Sequence, residues 1–584
     1  MNSLPNELLL KILSYLPNNK SIALVSRRFY DAVCTLDAKD VRLIVYGRVR
    51  NNSTFREFYN KIYVFGQEPK EKNDRFIRSV MNTTRSIRNI MVNFASVERE
   101  VVIGILKKFT ENIDYLRVCA ENGSDYLEAI ELVPKVVHLE LVSLTCCDYV
   151  PSIKKARHGD ENNKVLNLLR LRKLQIERCV NLDVVEMFNR LPDDLLIELS
   201  LLASDLSRSC VLFRKQRNIT KLTIMRCRCD WVCNHKEMII RDASIFDHLK
   251  LEFLEWQADK FEDANIGSVL AKQINLQSLR LVAIEVNVDL LNVITEQLRK
   301  LHTLEIGITN LPTDAVIKIA KLENLTDLTL WSDDEDSAEV FRELAKLDNS
   351  RITALNIQHC FDIPDDVIAE LSRSLPNLKR ITVHCVFNIN TFSAILKHFN
   401  YVEAVHFDAA DIHWEAKDRT GYCESLMKRG CNNDKLTELR IPYPIAYSMN
   451  MVKKMVAYYP HLKRLVFIPT NLLFCYLFVE ILKGFKELES LFILRSLCDV
   501  KKRYYDLNLI IEHGINLKFV ALLDLDLELV GHDMLMIGES VRKKFGFIQY
   551  DRKLGMKMAV DRRIMKTEWE YVMTNTNWEH IRPC

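Results

Sequence analysis

The chain has 584 residues, of which 48% are apolar and 27% charged, and its 81 Lys and Arg against 78 Asp and Glu give a net charge of +3. This composition excludes a wholly disordered chain, and it argues against a general nucleic-acid binder, which needs an excess of cations against phosphates. With 15 Gly and 14 Pro, the chain has too few turn-forming residues for an all-β protein of tight hairpins.

The sequence predicts a protein without a membrane span, because no run of about 18 uncharged apolar residues occurs. The N-terminal segment is apolar but contains Glu7 and Lys11, and it lacks a basic leader and a small-residue cleavage site. We therefore expect no signal peptide. Sixteen Cys without a secretory signal favour reduced thiols, and hence the cytosol or the nucleus.

The first predicted elements are short helices within residues 4–33, where two apolar sets at helical spacing flank a Pro-Asn-Asn break. Pro5 and Asn6 are typical of a helix start. About 35 residues in two or three helices bury too little surface to be stable alone, so they must dock on the rest of the chain or on a partner. The second apolar set consists of Ile22, Leu24, Val25, Phe29 and Val33.

This N-terminal module, residues 1–45, resembles the F-box through Leu4-Pro5-x-Glu7-Leu8-Leu9, Ile12-Leu13-x-x-Leu16 and Val25-Ser26-Arg27-Arg28-Phe29. In that family the apolar positions bind the Skp adaptor of a cullin-RING ubiquitin ligase. The adaptor-binding residues that the resemblance implies are Leu4, Pro5, Leu8, Leu9, Ile12, Leu13, Leu16, Val25 and Phe29. The residues alone also allow a helical cap on the rest of the chain.

A triplet of the form apolar-x-x-apolar-x-apolar then recurs about 17 times between residues 87 and 522, at steps near 25 residues in the centre. The last two triplet positions point to one face of a strand. Residues 314–322, 338–347 and 365–375 between triplets have helical spacing. Each unit is therefore predicted to be a strand and a helix that can bury their apolar faces only by stacking.

The repeat resembles the leucine-rich repeat, in the form that carries Cys after the strand, as in residues 355–381. Cys179, Cys227 and Cys360 occupy that position. The resemblance implies an α/β leucine-rich-repeat solenoid over residues 46–530, with parallel strands lining a concave face and helices on the convex face. Residues 531–584 are predicted to be a C-terminal cap or tail, and a chain that starts near Asn52 is expected to fold without the N-terminal helices.

No sequence motif indicates catalysis, because a phosphate-binding glycine loop, a GxSxG elbow and an HExxH pair are all missing. The best metal candidate is Cys227-x-Cys229-x-x-x-Cys233-x-His235, but its spacing differs from the CxxC pairs of structural zinc sites. We expect no metal, no cofactor and no enzymatic activity. Cys119, Cys146 and Cys147 are expected to pack as small apolar groups.

The target-binding surface is predicted on the concave face, from side chains that alternate with the two strand apolars. Early units place the polar residues Lys173, Gln175 and Glu177 there. Middle units place a mixture of polar, charged and aromatic residues there, including Arg380 and Asp408. The last three units form an apolar patch that ends at Ala521 and Leu523. Exposed patches of this kind mark binding surfaces. The predicted target-binding residues are Trp331, His384, His406, Arg440, Val466, Ile468, Phe492 and Leu494. In the alternative, the tail after about Phe545 covers the patch.

These resemblances together imply a substrate-recognition subunit of an SCF-type (Skp–cullin–F-box) ubiquitin ligase. Such a subunit recruits a target protein for ubiquitination and proteasomal degradation, and partner subunits perform the chemistry. Its expected partners are the Skp adaptor, a cullin-RING complex and a target protein, with no nucleic acid and no membrane. The alternatives are a leucine-rich-repeat scaffold without a ligase, and an enzyme hidden in the insertions, for which no positive signal exists.

Overall fold

A computed structural model places the chain in two compact units, Met1–Leu276 (unit 1) and Gln277–Cys584 (unit 2). The structure describes residues 41–45, 61–63, 77–78, 80–82, 87–94, 97–120, 123–143, 165–177, 188–202, 212–225, 246–257, 263–309, 311–332, 337–346, 350–358, 363–384, 389–408, 432–445, 449–469, 474–493, 513–514, 516–523 and 546–550.

Unit 1 contains a parallel sheet in which neighbouring strands follow one another in the order β2-β1-β3-β4-β5-β6-β7-β8-β9. The strands are β1 (Val41–Val45), β2 (Lys61–Tyr63), β3 (Asn89–Asn93), β4 (Tyr115–Ala120), β5 (His138–Ser143), β6 (Lys173–Glu177), β7 (Glu198–Leu202), β8 (Lys221–Met225) and β9 (Phe253–Gln257). Its described helices are α1 (Arg99–Phe109), α2 (Gly123–Glu131) and α3 (Asp263–Ala271).

Unit 2 contains a second run of parallel strands, paired in chain order from β10 to β20. They are β10 (Ser278–Glu285), β11 (Thr303–Gly307), β12 (Asp327–Trp331), β13 (Ala354–Gln358), β14 (Arg380–His384), β15 (Ala404–Asp408), β16 (Glu438–Ile445), β17 (Arg464–Pro469), β18 (Ser490–Ile493), β19 (Phe519–Leu523) and β20 (Gly546–Tyr550).

Helices connect most of the strands of unit 2, as the spacing predicts. They are α4 (Val288–Gln297), α5 (Ser337–Ala345), α6 (Asp365–Ser374), α7 (Ile389–His398), α8 (Met449–Tyr458), α9 (Phe474–Gly484) and a 3-10 helix, η1 (Thr313–Lys321). The predicted helical segments 338–347 and 365–375 coincide largely with α5 and α6, whereas most of segment 314–322 lies in the 3-10 helix. Helix α6 begins after Pro364 and has Asp365 and Asp366 in its first turn, where carboxylates favour the helix dipole.

The core of each unit is built from the triplet leucines. In β12 and β13 the triplet residues are buried, namely Leu328, Leu330, Leu355 and Ile357. The residue that directly precedes each of them in the chain is only partly buried. Each predicted triplet from Ile87 to Leu522 places its last two positions inside one of the strands β3 to β19. The leucine-rich-repeat solenoid that the sequence predicts is therefore confirmed.

Strands β1 and β20 lie outside residues 46–530, the range predicted for the repeat. Leu43 of β1 is fully buried and pairs in register with Ile90 of β3, although it lies within residues 1–45, where the sequence predicts a helical module. The triplet pattern misses β1 because Asp40 occupies its first position. It misses β20 because Gln549 stands opposite Leu522. A chain that starts near Asn52 would lack β1, which pairs with β3, and the expectation that such a chain folds stays a prediction.

Side-chain hydrogen bonds between repeats fix the turns that precede the strands. Asn324 Nδ2 donates to the Arg299 carbonyl at 2.9 Å, and Asn377 Nδ2 donates to the Ser350 carbonyl at 2.8 Å. In unit 1 the fully buried Gln216 Oε1 accepts from the backbone N–H groups of Leu195 and Leu196 at 2.8 and 3.0 Å. These bonds give partners to backbone groups of the irregular turns, which form no regular helix or sheet bonds.

Candidate protein-binding face

The candidate site of each unit is its strand face, defined here as the side chains that alternate with the buried triplet positions. In β6, Lys173, Gln175 and Glu177 are partly buried while Leu174 and Ile176 are buried, as predicted for an early unit. The same alternation holds in β9 and β13. Because parallel neighbours pair in register, strand-face residues of successive repeats form rows that cross the strands.

In unit 1 the strand face is buried over β3 to β5. Met91, Tyr115, Cys119 and Val142 form an apolar cluster, each at most 6% exposed. Cys119 therefore packs as a small apolar group, as predicted. This part of the face offers no open surface to a partner protein.

A buried charge network lies beside that cluster and centres on Glu140. Its Oε2 accepts a hydrogen bond from the Tyr115 hydroxyl at 2.8 Å and another from Arg117 Nη1 at 3.2 Å. His138 Nε2 lies 3.0 Å from Oε1, and Arg117 Nη2 lies 3.6 Å from Glu177 Oε2. Each buried charge thus has an opposite charge or a donor beside it, which is the condition for burying ions without a large cost.

The network controls the ionisation of Glu140. Burial alone would raise the pKa of this carboxyl group. The hydrogen bond from His138, the charge of Arg117 and the hydrogen bond from Tyr115 outweigh burial and lower the pKa from 4.5 to about 2. Glu140 is therefore a carboxylate at neutral pH, and its charge holds Arg117 in place.

In unit 2 the strand face is buried over β15 to β18, which corrects the predicted target site. His406 Nε2 lies 2.6 Å from Glu438 Oε1, and Arg464 Nη1 donates to Glu438 Oε2 at 2.8 Å. His406 and Arg440 are each only 3% exposed. His406 thus belongs to a charge network with Glu438 and Arg464, and the buried Arg440 stands beside His406 in register, so neither residue projects from an exposed binding surface.

Two residues of the apolar patch predicted on the last three repeats, Val466 and Phe492, are also buried. Val466 and Phe492 stand opposite each other on β17 and β18, so the predicted adjacency is right. However, they are only 2% and 1% exposed. Side-chain alternation fixes the face on which a residue lies, whereas exposure depends on what packs against that face. The prediction of an exposed docking patch is therefore wrong for these two residues.

Trp331 is a third correction, because the structure places it in a slot on the strand face. Its neighbour in register on β11 is Gly307, and a Cβ atom at Gly307 would lie 2.3 Å from Cζ2 of the indole. The indole therefore lies across Gly307, and its Nε1 donates to the Leu281 carbonyl of β10 at 3.4 Å. Only 9% of Trp331 is exposed, so it shapes the face rather than projecting from it.

The open part of the strand face in unit 2 runs from β10 to β14. Arg280 Nε lies 4.0 Å from Glu305 Oε2, and Arg380 Nη2 lies 3.6 Å from Asp327 Oδ1. The side chains of Arg280, Asp327 and Arg380 are 43%, 41% and 54% exposed. In unit 1 the open part runs from β6 to β9 and includes an ion pair of 2.5 Å between Lys173 and Glu198.

The sequence pattern predicted little of this arrangement. It placed Arg380 on the face but did not single out Arg280, Glu305, Asp327 or the buried Glu140. Their signal was present in the sequence, since each occupies a position that alternates with triplet leucines. What the sequence did not contain was the separation of the face into buried and open stretches.

Several predicted residues lie outside the residues that the structure describes. These are the adaptor-binding positions Leu4 to Phe29, Leu494, and the zinc candidate from Cys227 to His235. The backbones of His384 and Ile468 are described at the ends of β14 and β17, but their side chains are not. Among the described residues, no group of three or more His, Cys, Asp or Glu could hold a metal ion. No helix of this part of the chain has the length and apolarity needed to cross a membrane.

A scan against protein-family models matches residues 1–37 to the family described as F-box-like. The N-terminal segment is F-box-like. The F-box-like segment thus precedes the leucine-rich-repeat solenoid in the chain. A search of curated protein sequences found no match.

Among solved structures, the chain is similar to a chain of the TLR13–ssRNA13 complex, with 15% sequence identity and a TM-score of 0.34. The match covers 76% of this chain and 52% of that one, so this chain spans about half the length of the matched chain. At this level the similarity carries no argument about binding or activity.

Proposed function

We propose that this protein is the substrate-recognition subunit of an SCF-type ubiquitin ligase. The F-box-like segment would bind the Skp adaptor, and the open strand face would hold a target protein for ubiquitination and proteasomal degradation. The protein itself would be a non-catalytic receptor that works in the cytosol or the nucleus. The observation that carries this proposal is the F-box-like match at residues 1–37, followed by a repeat solenoid.

The structure supports a binding role in a second way. The strand face of β10 to β14 combines exposed charges with the hydroxyl and amide groups of Thr329, Asn356 and Thr382, none of which is fully buried. Protein-binding surfaces of this kind give specificity through charge and hydrogen bonds. We therefore move the proposed target site from the last three repeats to β10–β14.

The adaptor interaction is tested by co-purification of the full chain with the Skp adaptor and a cullin. We expect the double variant Pro5→Ala, Leu9→Ala to lose adaptor capture, because burying Leu9 contributes about 1.5–3 kcal/mol. The matched control is Leu10→Ala. Helical spacing places Leu10 about 130° from the centre of the predicted apolar face, so we expect capture to be retained.

The result also separates the ligase receptor from a scaffold without a ligase. In the scaffold alternative, the N-terminal helices only cap the solenoid. The double variant would then lower the melting temperature, and wild-type protein would not retain the adaptor. Undiminished capture by the double variant would show that the adaptor does not use the F-box-like positions.

A further inference from the structure

The open strand face of unit 2 contains a row of polar residues that crosses β12, β13 and β14. Asn356 of β13 stands between Thr329 of β12 and Thr382 of β14, in register with both. We call these three residues the polar row. None of them is fully buried. Three side chains that can each donate and accept hydrogen bonds therefore lie side by side across the sheet.

Asn356 has a carboxamide oxygen that lacks a hydrogen bond. Its Oδ1 atom is buried and accepts no hydrogen bond from the residues that the structure describes. A buried polar atom without a partner is unfavourable, and such atoms are rare in folded proteins. Asn356 as a whole is only partly buried, so a bound molecule can contact the carboxamide, and rotation about χ2 turns Oδ1 toward that molecule. The polar row thus carries an unsatisfied acceptor that a ligand can satisfy.

Two features of the strand face flank the polar row. On the side where the strands begin, Asp327 and Arg380 form an ion pair of 3.6 Å, and the small Ala354 of β13 stands between them in register. On the side where the strands end, the indole of Trp331 lies in its slot across Gly307. A ligand that contacts all three residues of the polar row must therefore run across the strands, between the ion pair and the indole.

We propose that the polar row binds the main chain of an extended segment of the target protein, and that Asn356 forms two hydrogen bonds with one residue of that segment. The backbone N–H of that residue donates to Oδ1, and its backbone C=O accepts from Nδ2. Two inter-strand spacings of about 4.8 Å separate Thr329 from Thr382, and an extended chain rises about 3.3 Å per residue, so the row spans about three residues. The assignment of this segment to a ligase substrate rests on the proposed function.

The pattern of donors and acceptors favours a polypeptide over a nucleic acid. In an extended chain the N–H and C=O of one residue point to the same side, where they match the acceptor and the donor of a carboxamide. A phosphate backbone supplies acceptors but no donor for Oδ1, and it is bound by a surplus of Lys and Arg. The ion pair between Asp327 and Arg380 beside the row sums to zero charge. Hydrogen bonding to a main chain is therefore the chemistry that the row fits.

The test removes the carboxamide and measures stability and binding separately. Asn356→Leu keeps a side chain of similar size and removes the unsatisfied oxygen, so we expect a melting temperature that is unchanged or higher. The matched control is Gln257→Leu, because Gln257 Oε1 is also buried without a hydrogen bond from the described residues, but Gln257 is the last residue of β9 in unit 1. The probe is a phage-displayed library of random 12-residue peptides, depleted on the full Asn356→Leu chain and then selected on the full wild-type chain.

We expect the selected peptides to bind the wild-type chain and the Gln257→Leu control equally. They should bind the Asn356→Leu variant at least about tenfold more weakly, because two hydrogen bonds are lost.

Methylation of one backbone nitrogen of a selected peptide tests whether the main chain is recognised. It should weaken binding to the wild-type chain at least about tenfold, because it removes the N–H donor. The same methylation should change binding to the Asn356→Leu variant less than about twofold. The proposal is overturned if no peptide remains after depletion, if methylation affects both chains equally, or if a random single-stranded RNA pool binds through Asn356 in place of peptides.

Adaptor capture by the wild-type chain and the Asn356→Leu variant separates this inference from the proposed function. If both capture the Skp adaptor and no peptide depends on Asn356, the main-chain inference is wrong and the ligase assignment stands. If peptides depend on Asn356 but no adaptor is captured, the polar row stands as a binding site and the ligase assignment is wrong. If Asn356→Leu lowers the melting temperature, Asn356→Ala takes its place in every step. A loss of stability in both variants would show that Asn356 is a structural residue, and would overturn the proposal.

Discussion

The substitution Glu140→Gln should destabilise the buried network of β4 to β6. The variant keeps the size of the side chain but removes the charge that holds Arg117, whose side chain is only 8% exposed. Removing one partner of a buried ion pair typically costs about 3–5 kcal/mol. A pKa that falls from 4.5 to about 2 corresponds to about 3 kcal/mol, at about 1.4 kcal/mol per pKa unit. Both arguments predict a loss of about 3 kcal/mol at neutral pH.

The pH dependence of this loss has a defined sign. Because folding lowers the pKa of Glu140, its stabilisation is complete above about pH 4.5 and disappears as the pH falls through about 2. The Gln variant has no group that titrates at this position. The difference in unfolding free energy between the two proteins should therefore be constant near neutral pH and shrink progressively below about pH 4.5.

Hydrogen exchange of the full chain measures this effect locally, through peptides that cover β4, β5 and β6. A loss of about 3 kcal/mol should accelerate exchange about 100-fold at those backbone amides whose exchange requires the charge network to open. The matched control is Glu255→Gln, at the corresponding position of β9, because Glu255 makes no ion pair with the described residues. We expect its effect to stay below about 1 kcal/mol. Equal effects of the two substitutions would refute the argument that the network stabilises the face.

Three further substitutions test the packing. Gln216→Leu should lower the free energy of unfolding, measured in urea, by about 2 kcal/mol or more, because two backbone N–H groups lose their acceptor. A loss below about 0.5 kcal/mol would contradict this. Gly307→Ala should cost about 1–3 kcal/mol through overlap with Trp331, and this cost should vanish in a Trp331→Leu background. Phe492→Asp should lower the melting temperature strongly because Phe492 is buried. The control Phe492→Leu should lower it much less. An unchanged melting temperature of the Asp variant would show that the residue is exposed.

The sequence by itself determined the repeat. The two apolar positions of each triplet require a strand with one buried face, and the constant step requires each strand to stack on the one before it. The predicted positions therefore lie in consecutive parallel strands from β3 to β19 within the two units. The pattern failed at β1 and β20, where Asp40 and Gln549 occupy positions that the repeat elsewhere fills with apolar residues. Both segments nevertheless form strands of the sheet, because each pairs with a neighbouring strand although one apolar position of its triplet is polar.

Only the tertiary structure decided which part of the strand face is open. Alternation is a local property of two successive residues, and it correctly placed Phe492, His406 and Arg440 opposite the core leucines. Burial depends on contacts between segments far apart in the chain, which no short spacing records. The slot for Trp331 shows the same limit, because it exists only where Gly307 of the preceding repeat lies beside it in register.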